Sequence, residues 1–172
     1  MKLHLALTPA TLLLAGAAAL AGPHEHGLAR LDVALDGNRL TVAMDAPLDG
    51  FLGFERAPRT DAERKTAAEL LARLKAPAGL FTPDAAAGCR LERAEVKAPV
   101  LEPGAKPAKG EHADLEAEFA YTCSQPQALR TLDVGLFEAY KRLQRIEVQV
   151  AGAKAQSKVT LRRPARQVPL AR

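Results

Sequence analysis

The run LARLDVALDGNRLTVAM occupies residues 28–44 and reads as two strands joined by a turn. Ala29, Leu31, Val33 and Leu35 fall on one face of an extended chain, with Arg30 and Asp32 on the other. Asp36-Gly37-Asn38 then supplies a tight-turn signal, and Leu40, Val42 and Met44 resume the alternation. The spacing predicts a β-hairpin. Extended backward through Gly27, the first strand would place His24 and His26 on the polar face of Arg30 and Asp32, toward solvent.

Further along, Pro47 to Pro58 reads as a loop carrying Phe51, Gly53, Phe54 and Glu55. Thr60 and Glu63 match a capping box. Ala67, Leu70, Leu71 and Leu74 then follow the i, i+3, i+4, i+7 spacing of one buried helical stripe, and Pro77 and Gly79 end it. A strand is expected from Cys89 to Ala98, and a Pro/Gly/Lys-rich flexible link over 99–110. In the strand after it, Leu115, Ala117, Phe119, Tyr121 and Cys123 share one face, opposite His112, Asp114, Glu116 and Glu118. Short strands are also expected over 132–136, around Ile146, Val148 and Val150, and around Val159 and Leu161, with a turn or short helix over 137–143 and a loose basic tail over 162–172. The tally is about seven short strands and one amphipathic helix, mainly antiparallel: an α+β fold or decorated β-sandwich.

Residues 1–21 carry the marks of a secretory signal peptide. Lys2 gives the positive start, residues 5–19 an apolar core, and Ala19-Leu20-Ala21 a small-x-small cleavage pattern. No later segment has the length of a membrane span, so one exported domain over 22–172 is expected. Removing Lys2 from 24 basic residues against 20 acidic ones leaves a net charge of about +3. The charges are mixed, Trp is absent and aromatics are few, so the basic stripe with interleaved aromatics that nucleic-acid binding needs is missing. Cys89 and Cys123 are the only cysteines. An even count in an oxidising compartment reads as a disulfide, and pairing of their strands would put them at the open end of a long hairpin. The alternative, two thiolate metal ligands, lacks a CxxC spacing.

Three histidines follow the leader: His24, His26 and His112. A His-x-His pair in extended backbone sets both imidazoles on one side, roughly 7 Å apart at the backbone. Imidazole suits Zn²⁺, Cu²⁺ or Ni²⁺, and tetrahedral zinc takes three or four such groups. His24, His26 and His112 are therefore candidate ligands, with Asp114, Glu25, Glu111 or Glu116 to complete the shell. The bland account is a tail pair, a loop histidine and a solvated acidic strand face. An amino-terminal copper chelate is disfavoured: cleavage after Ala21 would make His24 third, but Pro23 has no N–H to deprotonate. Ser124 and Ser157 lie in no nucleophile elbow. There is no HExxH and no Gly-rich phosphate loop, so catalysis is not expected.

Taken in order, several of these features resemble a known family. They are His24 to Gly27, the Asp36-Gly37 turn, Pro47-Leu48, Gly53-Phe54-Glu55, the capped helix with Leu80-Phe81, and Cys89. His112-Ala113-Asp114-Leu115, Cys123, Leu132-Asp133-Val134, Leu136-Phe137 and Gln156 continue the series. The chain is similar over most of 24–161 to the ZrgA-like, zinc-regulated periplasmic zinc-binding proteins of Gram-negative bacteria. The resemblance implies zinc capture in the periplasm and help in zinc acquisition beside a zinc ABC importer. It matches His24 and His26 to the family's N-terminal histidines, His112 to the histidine ending its central loop, and Cys89 and Cys123 to its cysteine pair. Two departures stand out. Residues 102–109 contain no histidine where many relatives carry a His/Asp/Glu-rich run, and Arg56 stands where the pattern has histidine. The competing expectation is a metal-free envelope module that docks a partner through a sheet edge or the Phe51/Phe54 loop.

Overall fold

A computed structural model describes residues 25–102, 104–105, 113–153 and 155–170. The leader expected over 1–21, His24, His112 and part of the 99–110 link lie outside the described residues. In chain order the elements are β1 (Leu28–Asp36), β2 (Arg39–Pro47), α1 (Asp49–Leu52), α2 (Asp61–Lys75), β3 (Phe81–Pro83), β4 (Cys89–Lys97), β5 (Asp114–Cys123), β6 (Thr131–Val134), α3 (Leu136–Ala139), β7 (Arg145–Ala151), β8 (Gln156–Arg162) and β9 (Gln167–Pro169).

The hairpin forms as its alternation predicts. β1 and β2 pair from Arg30↔Asp45 to Asp36↔Arg39 around Gly37-Asn38. They sit at the centre of a six-stranded sheet ordered β4-β5-β2-β1-β7-β8. The period of two carries across it: Val96, Ala117, Met44, Leu31, Val148 and Val159 form one cross-sheet row, and Ala94, Phe119, Val42, Val33 and Val150 the next. These rows face inward, and most of their members are buried. A one-residue slip of any central strand would turn its apolar set to water, so the register is strongly specified.

The inner face is covered in two ways. β3, β6 and β9 make a second, three-stranded sheet. The Phe81 ring lies 4.8 Å from that of Phe119, and the Tyr121 hydroxyl donates to the Phe81 carbonyl at 3.4 Å. α2 packs beside β4 and α1, burying Ala67, Leu70 and Leu74. The outer face of the large sheet stays polar, as the exposed Asp32, Glu116 and Gln149 show.

Four sequence expectations change. Among the described residues there are nine strands in two unequal sheets and three α-helices, rather than about seven strands and one helix. β1 and β7 run parallel; the long excursion through the second sheet makes that possible, whereas antiparallel neighbours can be joined by a tight turn. Residues 162–170 are no loose tail: β8 ends at Arg162, β9 pairs with β6, and Val168 and Leu170 are buried. Last, β1 does not run back through His26. Gly27 adopts φ +72°, and the Leu28 N–H closes a turn on the Glu25 carbonyl at 3.2 Å.

α2 begins as expected. Thr60 Oγ1 accepts from the Glu63 N–H at 3.1 Å, and the Glu63 carboxylate accepts from the Thr60 N–H at 3.4 Å. That carboxylate also takes the Arg59 N–H at 2.6 Å and both terminal nitrogens of Arg56 at 2.9 and 2.7 Å. The Arg56 guanidinium, with these backbone donors, holds the Glu63 pKa down to about 2 from 4.5. A depressed carboxylate stabilises the fold fully above its unfolded pKa and less as pH falls toward the folded value. The difference in thermal midpoint between the parent and Glu63→Gln should therefore be largest above about pH 5 and shrink toward pH 2. Melts across that window check it; a difference that does not change with pH would refute it.

Candidate metal centre

β2 ends at Pro47, which pairs with Asp114 at the start of β5. Leu48 is fully buried, and its N–H donates to the Ala113 carbonyl at 3.0 Å. α1 is a single turn. Phe51 pins it, set edge-on against Tyr140 with centroids 4.7 Å apart. Gly53 ends it in the left-handed region at φ 81°, its N–H bonded to the Asp49 carbonyl at 2.8 Å. A side chain there would be strained by that φ and would meet the Arg142 guanidinium at 2.8 Å. This reversal turns the chain back, so that Glu55 approaches Asp49, six positions earlier.

The turn at Gly27 delivers the third group. His26 Nδ1 lies 2.8 Å from Asp49 Oδ2 and 3.6 Å from Glu55 Oε1. One ligand atom from each of His26, Asp49 and Glu55 falls within 4.8 Å of the other two, the single such grouping among the described residues. The imidazole is 69 % exposed, whereas the carboxylates are 23 % and 15 % exposed. The site is thus open on the histidine side and walled on the acid side. Asp49 Oδ1 is buried with no hydrogen-bond partner among the described residues, an arrangement that a bound cation would relieve. The hydrogen bond to Asp49 raises the His26 pKa above 6.5, and the charges of Asp49 and Glu55 add to the effect.

Chemically, this is one imidazole and two carboxylates, a donor set suited to zinc. Metal–ligand bonds of about 2.0–2.1 Å in a tetrahedron set donor atoms roughly 3.4 Å apart. The separations of 2.8 and 3.6 Å from His26 bracket that figure, and all three groups lie within 4.8 Å of one another. A fourth position stays available for another ligand or water.

Of the residues expected from sequence, His26 is in this cluster. Asp114 is close by, paired with Pro47, but is not a member of it. His24, His112 and Glu111 lie outside the described residues. Glu25 is engaged elsewhere, in an ion pair with Arg145. Glu116 is exposed on the outer face, and Glu118 pairs with Arg93 at 2.5 Å, as on a solvated strand face. Asp49 and Glu55 are the additions. Their signal in the sequence was position: both follow the end of a core strand, where loops carry chemistry.

Arg56, at the position where the resemblance has histidine, faces other work. Besides gripping Glu63, its guanidinium lies 5.0 Å from the Phe54 ring centroid, tying the Gly53–Glu55 reversal to the start of α2. Phe51 is buried in the core, so that ring is a loop anchor and not a docking contact. The Cys89–Cys123 disulfide is formed, with an S–S distance of 2.05 Å, which removes both thiols as ligands. Among the described residues, no helix is long and apolar enough to cross a membrane.

Residues 23–170 match a family model described as the ZrgA family zinc uptake protein. Comparison with curated proteins gives no match.

Proposed function

Because the chain belongs to the ZrgA family of zinc uptake proteins, we propose that it captures Zn²⁺ in the periplasm and assists zinc acquisition, with His26, Asp49 and Glu55 holding the ion. The convergence of these three side chains carries the reading. His24 and His112, outside the described residues, are the imidazoles that the family resemblance adds to this shell. The role is binding and delivery, with a zinc ABC importer component as the receiving partner, and not catalysis. A ligand set open on one side suits a carrier, since an exposed imidazole lets the ion enter and leave.

Calorimetric titration of zinc-free protein with Zn²⁺ tests it. His26→Ala should weaken binding by at least about tenfold, on the scale at which altered metal-site residues act. Binding should also weaken as pH falls. Zinc needs the unprotonated imidazole, and Asp49 strengthens the proton's hold on His26, so competition begins above pH 6.5 and grows on acidification. A His26→Ala variant with the parent's affinity would refute the reading.

A further inference from the structure

His26 is held between two neighbours that are fixed in different ways. On one side, the Gly27 carbonyl accepts from the Gln144 N–H at 2.8 Å and the Arg145 N–H at 3.1 Å. Gly27 has no room for a side chain there, since a Cβ would meet the Arg142 carbonyl oxygen at 3.0 Å in a backbone conformation already unfavourable for other residues. On the other side, the Glu25 carboxylate is paired with the Arg145 guanidinium. Arg145 is itself steadied by Glu147, 3.4 Å from its Nε. One residue of β7 therefore grips the chain on both flanks of His26: its backbone takes Gly27, and its side chain takes Glu25.

The two grips have different consequences. The backbone grip continues the sheet and belongs to the fold. The side-chain grip orders a residue that precedes the first strand. Its ion pair is partly exposed, 23 % at Arg145 and 54 % at Glu25, and pairs of that kind contribute little to global stability. Its effect is local. It restricts the backbone entering His26, so the imidazole faces Asp49 and Glu55 without first having to be ordered by the ion. It also withholds Glu25 from the metal shell.

We propose that Arg145 is a positioning residue for zinc binding, acting through Glu25 to hold the His26 imidazole toward the two carboxylates. This rests on the zinc-binding reading above. The experiment is a double-mutant cycle read by calorimetry with Zn²⁺ alone, with thermal melts of each zinc-free variant alongside. Glu25→Ala and Arg145→Ala should each weaken zinc binding by about three- to fivefold, the most that a partly exposed ion pair can lend to the site. The double variant should be no weaker than either single one, because both changes release the same clamp. Zinc-free melting temperatures should stay near the parent's. Should Arg145→Ala lower stability through loss of the Glu147 contact, Glu25→Ala removes the clamp alone and decides the matter.

Parent-like affinity in Glu25→Ala, with affinity lost in His26→Ala, would overturn the clamp and leave the zinc site standing. Losses that multiply in the double variant would also overturn it, since Arg145 would then act apart from Glu25. Parent-like affinity in His26→Ala would instead refute the zinc site, and the clamp with it.

Discussion

Asp49→Asn combined with Glu55→Gln should lower zinc affinity by about a hundredfold or more and leave the zinc-free fold intact. Both replacements keep the shape of the side chain and remove its charge. A divalent zinc ion loses two anionic donors at once, leaving one imidazole of the three converging groups. Changes to residues that merely support a metal ligand already alter affinity by about 10–100-fold, so loss of two ligands should reach at least the upper end. The fold should tolerate the pair. Asp49 starts a one-turn helix, and Phe51 against Tyr140 and the buried Leu48 hold that turn without it. The His26 pKa should fall as well, since the hydrogen bond and both charges that raise it are altered. Calorimetry and an imidazole titration followed by NMR check the two parts. Parent-like affinity in this variant would move the metal away from these carboxylates.

More of the sheet than of the site is legible in the residues. The β1–β2 hairpin, the β4–β5 pair and the capped α2 were legible because each is specified locally, by alternation, a tight turn or a capping box. β3 and β9 were not, because three residues carry no measurable period. The arginines from Arg162 onward make the last segment read as a basic tail, while Val168 and Leu170 are its buried residues among those described. The parallel β1–β7 pair is a property of the long connection and leaves no mark in either strand. The site divides along the same line. His26 was conspicuous because histidine is scarce in the chain. Asp49 and Glu55 are two of 20 acidic residues, and their place after a core strand is the one local sign they carry. They become neighbours only because Gly53 reverses the backbone between them, and that reversal brings them to His26 only once β1 and β2 are paired.

Removing the disulfide should produce the largest change in stability. Cys89 and Cys123 face each other in the β4–β5 register and are separated by 34 positions. In the chain-entropy model, a cross-link closing a loop of that length disfavours the unfolded chain by about 4 kcal/mol. For a domain of this size, that corresponds to a drop of roughly 10 °C in the melting temperature. The loss should be felt first in β4. Among the described residues that strand lies at the sheet edge beside β5, and most of its residues are exposed. Amide exchange in the Cys89→Ala/Cys123→Ala variant should therefore rise in β4 well before it rises in β1 or β2. Zinc affinity should respond differently. Cys123 ends β5, whereas the metal cluster adjoins its beginning through Ala113 and Leu48, roughly 30 Å away along ten residues of strand. Below the variant's melting temperature, affinity should match the parent's. A variant that melts within a degree or two of the parent would refute the entropic account of the bridge. A large affinity loss at temperatures where the fold persists would show that the two ends of β5 are coupled.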